Sequence, residues 1–174
     1  MMALPSDELL LSAFASGDRD AFDRLTARYS GVLDSYFRRR LPDDGRVEEL
    51  RQETLLALYA LLPSYEEKGR FRSLLFSIAY RKLVSSRRSE KPAAPLPEDL
   101  PAGEADAGGF EVRAAVEELP EPLREALMLT RFEGLPAAEA GEILGCSADA
   151  VRARVCRAKS LLARRLNPVS RRRR

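Results

Sequence analysis

Apolar residues recur along almost the whole chain at three- and four-residue steps, and nowhere do they alternate with polar ones over a strand's length. The pattern predicts an all-α protein. Ser6 followed by Asp7 and Glu8 reads as an N-cap with acids in the first turn, opening a short helix through Leu9, Leu10, Ala13 and Phe14 that Gly17 and Asp18 interrupt. A longer helix follows, with Phe22, Leu25, Tyr29, Val32, Leu33, Tyr36 and Phe37 inward, and ends before Pro42-Asp43-Asp44-Gly45. The third runs from about Arg46 to Leu62, turns Val47, Leu50, Thr54, Leu55, Leu58, Leu61 and Leu62 inward, and stops at Pro63. A polar loop, 64–70, leads to a fourth helix with the stripe Phe71, Leu74, Leu75, Ile78, Ala79 and Leu83.

After Arg88 the composition changes: residues 91–109 hold four prolines and three glycines, which makes them a flexible Pro/Ala/Gly linker. Helical spacing resumes at Phe110, Val112, Ala115, Val116 and Leu119, breaks at Pro120 and Pro122, and continues through Leu123, Leu127, Met128 and Phe132. The expected organisation is two small helical domains, 1–90 and 110–167, joined by the linker 91–109 and followed by a basic tail, 168–174.

Within the second domain, Pro136 to Leu144 forms a short helix, Gly145-Cys146-Ser147 turns the chain, and a second helix runs from about Ala148 to Leu166. This is a helix-turn-helix pattern. Gly145 suits a turn that needs positive φ, Ser147 can cap the second helix, and Val151, Val155, Ala158 and Leu162 form its buried stripe. Asp149, Arg152, Ala153 and Cys156 then face outward near the helix start, where a recognition helix meets base edges. Arg154, Arg157, Lys159, Arg164 and Arg165 add charge suited to phosphates. An ordinary helical hairpin with a solvated basic face is the plainer alternative. Cys146 and Cys156 stand roughly 15 Å apart along a mostly helical path, too far for a disulfide.

Charge sharpens this picture through its distribution. The 29 basic and 27 acidic residues nearly cancel. Lys68 to Arg88, however, carries seven basic residues and no acid, and 148–174 carries ten against Asp149 alone. Asp43 to Glu67 carries seven acids against Arg46 and Arg51. The chain has no His, which removes imidazole chemistry, and its two cysteines cannot close a zinc site by themselves. No metal, cofactor or catalytic residue is expected, and the protein is not read as an enzyme. The sequence has no export signal and no uninterrupted apolar run long enough to span a bilayer, so a cytoplasmic protein without direct membrane insertion is expected.

Leu119-Pro120, Arg124, Glu133-Gly134-Leu135, Glu139, Leu144 to Ser147, Val151 to Arg154 and Arg157-Ala158-Lys159 together closely resemble the C-terminal domain of extracytoplasmic-function sigma factors of bacterial RNA polymerase. The N-terminal half is similar to the other domain of that family through Gly17-Asp18, Ala21-Phe22, Glu49 to Thr54, Gly69 to Arg72 and Leu75 to Ala79. The resemblance implies that the third helix, with Glu49, Arg51, Gln52, Glu53 and Leu56, docks on polymerase core. It implies that the loop 64–70 and the fourth helix, with Lys68, Arg70, Arg72, Tyr80, Arg81, Lys82, Ser85, Arg87 and Arg88, melt and capture the −10 element. Phe71 or Tyr80 could offer a ring to an unstacked base. It implies that Ser147, Asp149, Arg152, Ala153, Arg154 and Arg157 bind the −35 element. Promoter DNA and an anti-sigma factor, often membrane-bound, are the further partners implied. Leu74, Arg81 and Ser85 depart from the Trp, Asn and Asp usual in the family, which puts the −10 sequence preference in question. A helix-turn-helix regulator that is not a polymerase subunit is the alternative function.

Overall fold

A computed structural model describes residues 5–65, 69–89, 112 and 114–166, with the side chains of Arg88 and Ser89 outside the description. All regular structure among these residues is helical. The chain divides into two compact units, Met1–Pro92 and Ala93–Arg174. The expected linker 91–109 and tail 168–174 lie outside the described residues.

The first unit contains α1 (Asp7–Ala15), α2 (Arg19–Arg38), α3 (Asp44–Leu61) and α4 (Phe71–Ser89), each packed against the next in sequence. Side-chain oxygens set the first three starts. Leu9 N–H donates to Ser6 Oγ at 3.3 Å, Asp20 N–H to Asp18 Oδ1 at 3.0 Å, and Gly45 N–H to Asp43 Oδ1 at 2.9 Å. Capping by Asp43 starts α3 at Asp44, two residues ahead of the expected Arg46. At its other end Pro63 sits inside a tight 3-10 turn, Leu62–Ser64, because its fixed φ suits the turn while its missing N–H ends the helix. Gly17, at φ +99°, makes the corner between α1 and α2.

Large side chains fill the core of this unit: Leu25, Leu33, Leu50, Leu58, Leu75 and Leu83 are almost fully buried. Among them the rings of Tyr36 and Phe37 lie 5.2 Å apart, Tyr36 and Phe76 5.3 Å, and Tyr29 and Phe71 5.3 Å, edge-on or tilted as their quadrupoles favour. The Arg40 guanidinium lies 3.7 Å over the Tyr36 ring. A polar clasp closes α1 onto α2: Arg28 and the Tyr29 hydroxyl both donate to the Asp7 carboxylate, and Arg28 also donates to the Pro5 carbonyl. Burial and the adjacent Asp7 carboxylate push the Tyr29 pKa up to about 12.

The second unit is built on α5 (Glu121–Leu127), α6 (Ala137–Leu144) and α7 (Ala148–Leu166), with a helical segment over 114–117 ahead of them. Pro120 is the N-cap of α5 and Pro122 lies in its first turn, where a missing N–H costs nothing. Only Pro120 therefore breaks the helix. Beyond Leu127 the helix widens into a π turn, Met128–Phe132, in which Glu133 N–H reaches the Met128 carbonyl five residues back at 3.1 Å. The extra residue rotates the chain, so Leu129 is buried while Phe132, expected inward, is 48% exposed. Leu119, Ala126, Leu129, Ala140, Val151 and Ala158 make the core.

Candidate functional site

The helix-turn-helix is formed by α6, the turn 145–147 and α7. Gly145 takes φ +64° and ψ 38°, which lets the chain leave α6, and Cys146 N–H donates to the Gly141 carbonyl at 2.9 Å. Ser147 then caps α7 by accepting from Ala150 N–H at 3.1 Å. The turn is tight: a Cβ on Gly141 would lie 2.5 Å from the Cys146 carbonyl oxygen. Val151, Val155 and Ala158 anchor α7, with Leu162 half-buried beyond them. Asp149, Arg152, Ala153, Cys156 and Arg157 are all exposed on its other side. Arg152 pairs with Asp149 one turn earlier, which holds its guanidinium near the helix start. Arg154 departs from the expected outward cation, since it is half-buried and its Nη1 lies 3.3 Å from Cys146 Sγ, bracing the turn. Both cysteines are free thiols.

A groove of about 420 Å³ runs between the π turn and α7, with Arg131 and Thr130 on one bank and Arg152, Cys156 and Lys159 on the other. Sequence spacing did not single out Arg131. A regular α-turn would aim it elsewhere, and the extra residue of the π turn brings it to this groove.

In the first unit, Glu49, Gln52 and Leu56 are exposed along one face of α3, and Leu56 at 70% is the most exposed large apolar side chain among the described residues. Tyr59 continues the face, its ring 5.6 Å from Phe14 and 5.0 Å from Phe22. These apolar neighbours were not part of the expected docking set. Arg51 departs from that set: it is half-buried and bridges to Asp34 of α2 at 3.3 Å and Glu48 at 3.6 Å, so it ties α3 to α2. Glu53 turns toward α4 and pairs with Lys82 at 3.1 Å, which joins a residue of the expected docking set to one of the expected −10 set.

On α4, Arg72 and Arg81 are exposed, as are Arg70 ahead of it and Ser85 further along. The Arg72 guanidinium lies 6.0 Å over the Tyr29 ring and 5.6 Å over Phe76. Arg81 donates to the Ser77 carbonyl and hydroxyl, both at 3.1 Å. Tyr80 and Arg87 are half-buried. Phe71 cannot offer a ring to a base: it is 3% exposed and packs on Tyr29, because it opens the inward stripe of α4. Lys68 and the side chain of Arg88 lie outside the described residues.

A capped helix-turn-helix whose second helix exposes Arg152 near its start is the architecture of DNA-binding proteins. The comparisons narrow the class. Residues 25–92 match the family described as sigma-70 region 2, and residues 109–162 match sigma-70, region 4. The ECF RNA polymerase sigma-E factor of Escherichia coli (strain K12) is 28% identical, over 96% of this chain and 97% of its own. A "Probable RNA polymerase sigma-C factor" of Mycobacterium bovis is 33% identical, over 93% and 94%. Among solved structures, CnrH in complex with the cytosolic domain of CnrY is similar with a TM-score of 0.70 and 27% identity, over 90% of this chain and 94% of that one. The chain belongs to the sigma-70 family, as an RNA polymerase sigma factor of the extracytoplasmic-function group. No helix among the described residues is long and apolar enough to cross a membrane.

Proposed function

We propose that the protein binds RNA polymerase core through the outer face of α3, captures the opened −10 strand on α4, and reads the −35 duplex with the start of α7. One observation carries this reading. Within one small unit, α3 turns Glu49, Gln52 and Leu56 outward while α4 turns Arg72 and Arg81 outward. The first face suits a protein surface and the second a nucleic acid. A regulator that only binds duplex DNA needs neither. On this reading, residues 1–90 serve core and −10 binding, 91–109 span the promoter elements, 110–167 serve the −35 element, and 168–174 add positive charge.

Glu49, Gln52, Glu53 and Leu56 form the docking set, with Arg51 holding α3 in place. Arg70, Arg72, Tyr80, Arg81, Lys82, Ser85 and Arg87 form the strand-capture set, to which the reading adds Lys68 and Arg88. Arg152 and Ala153 address base edges, Ser147 and Asp149 position the helix and Arg152, Arg154 braces the turn, and Arg157 meets phosphate. An anti-sigma factor belongs to the reading as well: the family resemblance implies one, and the similar CnrH is held in complex with a domain of CnrY. The cytoplasm, where polymerase works, is the compartment assigned.

Binding of the full chain to purified core tests this. A Gln52→Ala, Leu56→Ala double variant should bind core about tenfold or more weakly, as loss of exposed anchor residues does. Its affinity for −35 duplex should not change. Unaltered core affinity would overturn the outer face of α3 as the docking surface.

A further inference from the structure

Three aromatic rings of the first unit meet at its surface. Phe14 near the end of α1, Phe22 near the start of α2 and Tyr59 on α3 close a triangle. The ring centres of Phe14 and Phe22 lie 5.6 Å apart, those of Phe14 and Tyr59 5.6 Å, and those of Phe22 and Tyr59 5.0 Å. The corner between α1 and α2 brings the two phenylalanines together: Gly17 turns the chain there at φ +99°, its N–H donates to the Phe14 carbonyl at 3.0 Å, and Asp18 N–H donates to the Ala13 carbonyl at 3.0 Å. Both phenylalanines are half-buried, but Tyr59 is 43% exposed. A trio that only sealed the corner would bury its third ring, and this one presents it to solvent. We propose that Phe14 and Phe22 are positioning residues for polymerase binding: they hold Tyr59 as a preformed anchor beside Leu56, so that α1 and the α1–α2 corner belong to the docking apparatus. The inference rests on the reading of α3 as the docking face.

Continuity with the α3 face makes core the occupant. Glu49, Gln52, Leu56 and Tyr59 follow one another at steps of three and four residues, so they share one side of the helix, and all four are exposed. The polar pair lies at one end of this strip and the apolar pair at the other, which is the make-up of an interface core with its rim. Tyrosine is a frequent anchor in such interfaces. An anchor on a free surface gives up its side-chain freedom when the partner arrives, and that loss weakens binding. Here Tyr59 is already restrained, because it packs edge-on against two rings, at interplanar angles of 64° and 74°. The restraint reaches back to the start of the chain: Arg28 and Tyr29 of α2 both donate to Asp7 of α1, which fixes α1 on α2 and with it the Phe14 ring.

The test is a mutant cycle on the full chain, read as affinity for purified core. Its members are wild type, Tyr59→Ala, a Phe14→Leu, Phe22→Leu pair, and the triple variant; leucine removes the rings while keeping the corner apolar and helical. Tyr59→Ala should weaken core binding about tenfold, as loss of an anchor does. The leucine pair should weaken it about threefold, the size of one side chain's lost preorganisation. The triple variant should bind no more weakly than Tyr59→Ala, because the phenylalanines act through that residue. Damage to the corner that acted through folding would weaken binding equally with and without Tyr59, so this dependence separates positioning from packing. In the free protein, ring-current shifts of the Tyr59 ring protons should be present in wild type and lost in the leucine pair. Losses that multiply in the triple variant, a leucine pair that binds core like wild type, or random-coil Tyr59 shifts in wild type overturn the positioning role. Wild-type core affinity in Tyr59→Ala, with the Gln52→Ala, Leu56→Ala variant weakened, overturns the anchor and leaves the α3 reading standing. Wild-type affinity in both removes α3 as the docking face and the inference with it.

Discussion

In the first unit Tyr29, Tyr36, Phe37, Phe71 and Phe76 are all buried, each within 5.2–5.3 Å of another ring, and an Arg–Tyr–Asp clasp locks α1 to α2. In the second, the one aromatic residue described, Phe132, is 48% exposed, and the core is Leu, Val, Met and Ala. Small domains bury little surface, and the two units meet that constraint differently. The first fixes its shape with large side chains that interlock. The second fixes its shape with backbone: a glycine pressed against a carbonyl, a left-handed turn and a π turn. Each should therefore fail to a different insult, and the differences are measurable.

The largest expected effect separates two helical glycines. At Gly141 a Cβ would meet the Cys146 backbone oxygen at 2.5 Å, a collision that no rotamer change relieves. Gly141→Ala should destabilise the second unit by about 3 kcal/mol. At Gly31 in α2 a Cβ meets nothing within 4 Å, so Gly31→Ala should stabilise the first unit by about 0.5–1 kcal/mol through helix propensity. Urea denaturation followed by near-ultraviolet signal for the first unit and by amide exchange for the second resolves them. Equal effects of one sign would dissolve the contrast.

The next test concerns the clasp. Because the folded Tyr29 pKa is raised from 10.0 to about 12, the neutral phenol is the form the fold favours. Its contribution is fully present below pH 10 and is lost as pH rises through about 12. The shift corresponds to about 2–3 kcal/mol. Wild-type stability of the first unit should fall over that window more steeply than that of Tyr29→Phe, which has no phenol to ionise. Parallel curves would remove the clasp from the account. The smallest effect belongs to the cap: Ser147→Ala should cost the second unit about 1 kcal/mol and leave the first unchanged.

Local chemistry made much of this legible in sequence. Ser6, Gly145 and Ser147 act on groups within three or four residues, so the α1 start and the helix-turn-helix follow from spacing alone. What escaped were places where the helical period changes or where the partner is distant. Phe132 faces out because a π turn inserts a residue, and Leu61 lies beside a furrow that exists only once α4 is packed. Arg51, Lys82 and Arg154 all carry the charge expected of surface contacts, yet tertiary structure gives them Asp34, Glu53 and Cys146 as partners. Charge patterning identifies a candidate surface. It does not say which cations are already engaged.

The neighbour-to-neighbour packing of α1 through α4 bears on how the protein is made. Each helix of the first unit finds its partner in the stretch of chain synthesised just before it, and such local topology folds in microseconds to milliseconds. A ribosome adding about 5–20 residues each second needs seconds to extend the chain from Ala93 to Arg174. The first unit therefore emerges and closes while its companion is still being translated. For those seconds a nascent chain presents the α3 face with no helix-turn-helix attached, and any factor that binds this face has its first opportunity on the ribosome.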